Sequence, residues 1–149
     1  MLNLLLVLLL QTQTLAPGQK VVVGLEDGQE VTIQDPVFTG FIEGHSGEAV
    51  LTYREGSIHG EVPLKNVSRI EFRPYKKGRP FSLTVTLKNG QVLQVEAERR
   101  DYVSLRGSTD AGMVTIKQPD PLSGPVGLTT RQANRKKDLT IQYLEFPTS

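Results

Sequence analysis

The chain has no cysteine, which excludes a disulfide framework, a thiolate metal site and a cysteine nucleophile. Tryptophan is absent as well. Neither charge sign dominates: 17 Lys and Arg against 16 Asp and Glu leave a formal +1. That balance argues against the broad electropositive face that supplies most nucleic-acid affinity, while leaving room for a local patch. No stretch carries ten residues of helical periodicity. The best helix formers, Glu96–Asp101, have no apolar stripe to dock them. A phosphate loop, a dinucleotide fingerprint, EF-hand spacing and a Gly-x-Ser-x-Gly elbow are all missing. At 149 residues the chain fits one ordinary domain or two very small ones. Units below about 60 residues bury little surface alone, so any internal subdivision must share a core.

The first ten residues, Met1 to Leu10, are apolar except for Asn3, and polar Gln11-Thr12-Gln13-Thr14 follows. A helical span needs about 20 apolar residues, so this run is too short to cross a bilayer. Its length suits the apolar core of a secretory signal, with small residues at Thr14 and Ala16 near a cut, and predicts a leader over residues 1–16. No Lys or Arg precedes the run, and Pro17 is awkward for a cleaving peptidase, so an uncleaved anchor is the alternative. The expected location is outside the cytoplasm, secreted or periplasmic.

A repeat follows. Val21-Val22-Val23-Gly24-Leu25-Glu26-Asp27-Gly28-Gln29 is echoed by Leu83-Thr84-Val85-Thr86-Leu87-Lys88-Asn89-Gly90-Gln91. Apolar residues alternate on both sides of each turn, the mark of strands with one buried face. Asp27-Gly28 and Asn89-Gly90 are the dipeptides of type I′ hairpins, with two positive φ angles each. Further on, Gly44-His45-Ser46 stands against Gly107-Ser108-Thr109, and Ile70-Glu71-Phe72 against Leu144-Glu145-Phe146. The reading is two divergent copies, 20–73 and 81–147, joined by a basic Pro/Gly linker at 74–80, with an insertion near 118–137 in the second. In the first copy the remaining strands are Phe38–Glu43, Ala49–Arg54, Ile58–Pro63 and Ser68–Phe72. Glu55-Gly56-Ser57 turns the chain, and Pro63–Val67 reads as a single 3₁₀-like turn. The expected fold class is all-β: two small antiparallel barrel-like repeats with little or no helix.

That order of strand, Asp/Asn-Gly turn, strand, glycine bend, two strands and Val62-Pro63-Leu64-Lys65-Asn66-Val67-Ser68-Arg69-Ile70-Glu71-Phe72 resembles the small SH3-like or Sm-like barrels found in tandem in exported bacterial proteins. The resemblance implies binding or scaffolding without a catalytic signature.

Chemistry-bearing residues are few. His45 and His59, with Glu43, Glu48, Glu55 and Glu61 nearby, could be drawn as a metal site, but two surface histidines in a loop and a strand are the expectation. No metal, cofactor or catalytic residue is assigned. Ser46 beside His45 and Ser57 near His59 are neighbours in sequence only, which puts strand side chains on opposite faces. The sharpest feature is the basic cluster Arg73, Lys76, Lys77 and Arg79 with Tyr75 and Phe81 interleaved, the composition of a surface where cations track phosphates and rings stack. A second basic run holds Arg131, Arg135, Lys136 and Lys137. The expected function is a non-enzymatic exported binding or structural module of the cell envelope, contacting protein or an anionic polymer. An Sm-like nucleic-acid binder using the linker is the alternative, and a hydrolase a distant third. Oligomeric state is left open.

Overall fold

A computed structural model describes residues 19–73, 80–98, 102–118 and 141–147. The leader, the linker residues 74–79 and the stretch from 119 to 140 lie outside the described residues. The eleven strands are β1 (Lys20–Leu25), β2 (Glu30–Gly40), β3 (Ile42–His45), β4 (Val50–Glu55), β5 (Ile58–Pro63), β6 (Val67–Phe72), β7 (Ser82–Leu87), β8 (Val92–Ala97), β9 (Val103–Thr109), β10 (Gly112–Gln118) and β11 (Ile141–Glu145). Two 3₁₀ turns, Ser46–Glu48 and Leu64–Asn66, interrupt them, and every pairing is antiparallel. The chain is all-β. Among the described residues no helix is long and apolar enough to cross a membrane.

Eight strands close into one barrel in the order β1-β11-β6-β7-β8-β4-β3-β2, with β2 returning to β1. The β9–β10 hairpin extends from β2, and β5 extends from β4. The two halves therefore do not close separately. The last strand of each half pairs with the first strand of the other, β6 with β7 and β11 with β1, and β6 and β11 lie side by side. Exchanging the halves maps the β1–β2, β1–β11 and β4–β5 pairings onto β7–β8, β7–β6 and β9–β10, while β3, between β2 and β4, has no counterpart among the described residues. Ile70 faces Val85 as Leu144 faces Val23, and Arg54 faces Glu96 as Ser108 faces Gln34. The pair Ile70–Leu144 maps onto itself. This pattern makes β9–β10 the counterpart of β4–β5, whereas the sequence comparison had matched the Gly107 segment to the bend at Gly44. Burial explains the exchange: each half is too small to enclose its own apolar face, and the pooled strands fill one core.

That core draws on both halves. Val21, Val23, Ile33, Phe38, Phe41, Leu51, Ile70, Leu83, Val85, Leu105 and Leu144 are fully or almost fully buried. Phe41 and Phe72 from the first half meet Phe81 from the second at centroid distances of 5.6 and 6.0 Å. Such tilted and edge-on packing is the arrangement that aromatic quadrupoles favour.

The two matched hairpins share one turn geometry, and it departs from the type I′ expectation. Gly28 N–H donates to Leu25 O at 2.9 Å and Leu25 N–H to Gln29 O at 2.9 Å; Gly90 N–H donates to Leu87 O at 2.9 Å and Leu87 N–H to Gln91 O at 2.8 Å. Only the glycine has positive φ, +88° and +92°, while Asp27 and Asn89 do not. This is the three-residue loop in which a type I turn is followed by a left-handed glycine. The Asp27 and Asn89 side chains each accept from the backbone N–H two residues on, at 2.9 Å, so they favour the turn by capping it rather than by adopting positive φ themselves. The strand predicted at Phe38–Glu43 is divided instead between β2, which already begins at Glu30, and β3; a register shift between Gln34 and Val37, with Asp35 at φ +50°, bends β2 as one long strand.

Candidate functional site

The β1–β2 turn and the β7–β8 turn sit at opposite ends of the barrel. The second end is where the described chain enters and leaves: Gln19, Lys20, Phe146 and Pro147 border a shallow cavity there, beside the two 3₁₀ turns. Three lysines from separate elements surround it. Lys20 opens β1, Lys65 lies in the turn Leu64–Asn66, and Lys88 leads the glycine turn after β7. Backbone bonds lock these pieces together: Lys88 N–H donates to Asn66 O at 2.8 Å, Leu64 N–H to Ala49 O at 2.9 Å, and Asp35 N–H to Gln19 O at 2.8 Å. Among the described residues none of the three lysines forms an ion pair, whereas Arg54, His59 and Arg69 all do.

Ser46 borders the same cavity at φ +39°, a conformation unusual outside glycine, and its hydroxyl is buried without a hydrogen-bond partner among the described residues. The cavity holds about 20 Å³, room for one water-sized group. Three lysines lining a notch of this size bring positive charge to it, which suits an anionic group.

The residues singled out in the sequence are distributed differently. Arg73 lies at the other end, where its backbone N–H donates to Ser82 O at 3.0 Å and its guanidinium donates to the Gln94 side chain. It shares a groove of about 230 Å³ with Arg54, which pairs with Glu96 at 3.9 Å, and with Glu55. Charges of both signs thus line that groove. Phe81 does not offer its ring to a ligand: it is 2% exposed and packed on Phe41 and Phe72. Tyr75, Lys76, Lys77 and Arg79, and the second basic run, lie outside the described residues. The turn residues Asp27, Gly28, Asn89 and Gly90 are all in turns, and the second pair adjoins Lys88.

His45 faces Val37 on β3, whereas His59 lies on β5, 2.5 Å from the Glu98 carboxylate. Among the described residues no three His, Cys, Asp or Glu side chains are grouped as a metal would require. No family model, curated protein or solved structure matches the chain.

Sequence reasoning missed the lysine end because Lys20, Lys65 and Lys88 form no run. The signal for Phe81 was present: it continues the buried alternation of Leu83 and Val85, which outweighs its place beside the basic residues.

Proposed function

We propose that the chain is a non-enzymatic, exported binding module of the cell envelope that holds an anionic polymer at the lysine end of its barrel. The observation that carries this reading is the convergence of Lys20, Lys65 and Lys88, without ion-pair partners among the described residues, around one notch. Cations without an ion-pair partner among the described residues keep their field for a ligand, and anion binding there displaces none of the described carboxylates. The apolar run at Met1–Leu10 supports export, and outside the cytoplasm phosphate-bearing glycans and lipid headgroups are the anions at hand. The same reading takes 20–73 and 81–147 as copies of one β unit, supported by the exchange symmetry of their pairings. A stacking platform for bases finds less support, since Phe81 belongs to the core.

The test is a fluorescence anisotropy titration with labelled poly(glycerol phosphate), and with a labelled oligonucleotide, at low and moderate salt. The variant Lys20→Ser/Lys65→Ser/Lys88→Ser should bind the glycerol phosphate polymer about tenfold or more weakly. Its salt slope should be shallower by about 0.7 per lost contact, on the single-strand scale. If this variant binds as well as the natural chain while Arg73→Ser/Lys76→Ser/Lys77→Ser/Arg79→Ser does not, the linker carries the binding and the lysine end does not. Tighter binding of the oligonucleotide than of the polymer would favour the nucleic-acid reading.

A further inference from the structure

The sheet ends at β10. Its pairing with β9 runs from Gly112↔Thr109 to Gln118↔Val103, and among the described residues nothing pairs with its other side. Residues flanking a two-residue turn form a hydrogen-bonded pair, so Gly112, Val114, Ile116 and Gln118 aim their backbone groups at β9. The bond from Phe41 N–H to Tyr102 O fixes the same phase from the opposite side of β9. Met113, Thr115 and Lys117 therefore turn their N–H and C=O groups outward, and their side chains are exposed.

Natural edges are protected by proline, bulges, charges or a cover. β10 is seven residues long, with no proline or internal glycine, an unbroken register and a single charge at Lys117. Its sequence is also nearly palindromic in chemistry. Thr115 is the centre, β-branched Val114 and Ile116 flank it, and the long side chains of Met113 and Lys117 lie beyond.

We infer that β10 pairs antiparallel with β10 of a second copy of this chain, across a two-fold axis at Thr115. In that register Thr115 faces the partner's Thr115, Met113 faces the partner's Lys117, and Val114 faces the partner's Ile116. Every outward N–H finds an outward C=O. The only charged side chain on the strand meets a methionine, so no like charges oppose one another, and the β-branched pair is a favourable cross-strand contact. A symmetric interface uses one patch twice, which a strand with this symmetry satisfies without another sequence. The contact is small, and its dimer belongs at the weak end of specific interfaces.

Sedimentation velocity of the purified chain over a wide concentration range should show a monomer–dimer equilibrium. Amide exchange by NMR should show Met113, Thr115 and Lys117 gaining protection as the dimer fills. Thr115→Glu places two carboxylates face to face on the axis and should weaken the dimer at least tenfold. Met113→Glu places a carboxylate opposite the partner's Lys117 twice and should tighten it by about threefold to tenfold, the scale of two cross-strand ion pairs. All these side chains are exposed, and circular dichroism should be unchanged in both variants. A chain that is monomeric at every concentration overturns the inference. So does a dimer that Thr115→Glu leaves intact, or one that both variants weaken alike.

Discussion

The β4–β5 and β9–β10 hairpins occupy equivalent places in the two halves, yet their free edges differ residue by residue. The outward positions of β5 are His59, Glu61 and Pro63; those of β10 are Met113, Thr115 and Lys117. One edge carries a histidine engaged with Glu98, a carboxylate, and a proline that has no N–H to offer, while the other keeps all three donors. The hairpin pair therefore separates what the fold requires from what it leaves free. Apolar alternation and turn chemistry are alike in both halves because the shared core depends on them; edge composition does not affect the core and differs between them.

The same comparison can be sharpened inside the barrel, beginning with the largest expected effect. Gly24 in β1 and Thr86 in β7 are counterparts, and so are their cross-strand neighbours Tyr143 and Arg69. A Cβ built on Gly24 would lie 2.0 Å from the Tyr143 ring, which covers the glycine and receives the Arg69 guanidinium 4.0 Å from its centroid. Gly24→Thr must expel that ring and should cost about 3 kcal/mol, the upper range for overpacking. Thr86→Gly removes only strand propensity and should cost about 1 kcal/mol. Urea titration of both variants decides the matter, and equal losses would mean that the two sites are not distinguished by the ring.

The glycine turns supply the next test. Nothing lies within 4 Å of a Cβ at Gly28 or Gly90, so a side chain there meets backbone strain alone. Gly28→Val and Gly90→Val should each cost about 1–3 kcal/mol, the usual toll of a β-branched residue at positive φ. The two losses should agree within about 0.5 kcal/mol and add in the double variant, as distant sites do. Unequal losses by thermal or urea denaturation would show that barrel context enters the turns.

The smallest effect concerns Tyr143. The hydrogen bond that its hydroxyl donates to the Glu30 carboxylate, helped by desolvation and by the Glu30 charge and opposed by Arg69, holds its phenol above the usual tyrosine range. A raised folded value means that the protonated ring is favoured by folding. The stability it lends is complete below the ordinary tyrosine value of 10.0 and disappears as pH rises through the folded value. The natural chain should be slightly more stable than Tyr143→Phe at neutral pH, and that advantage should vanish in strongly alkaline buffer. A gap between the two melting curves that is independent of pH would contradict the assignment.

Local features were legible in the sequence where the physics is local. Alternation marked Val21, Val23 and Leu25 as one buried face, the Asp-Gly and Asn-Gly pairs marked the turns, and Pro63–Val67 was recognisable as a 3₁₀ turn. Partner choice between strands was not legible, because an exposed alternating strand accepts any neighbour with matching faces. Nothing in Leu144-Glu145-Phe146 says that it will sit between β1 and β6. The lysine end was hidden for the same reason, since three cations distant in sequence become a site only after strand pairing brings their turns together. Of the linker residues read as a binding surface, Arg73 and Phe81 were drawn into structure by Gln94 and by the aromatic core.

The seam between β1 and β11 sets the order of assembly. Val22 pairs with Glu145, nearly the full length of the described chain away, while the turns at Gly28, Gly56, Gly90 and Asp110 join strands that follow one another directly. Hairpins of that kind form in microseconds, but contacts of such long sequence separation must first overcome loop-closure entropy, and barrels dominated by them fold in milliseconds to seconds. As the chain emerges from the ribosome, β11 is the last of the described strands to be made. Until it arrives, β1 and β6 each present an unpaired edge, and the barrel remains an open, curled sheet whose closure waits for β11.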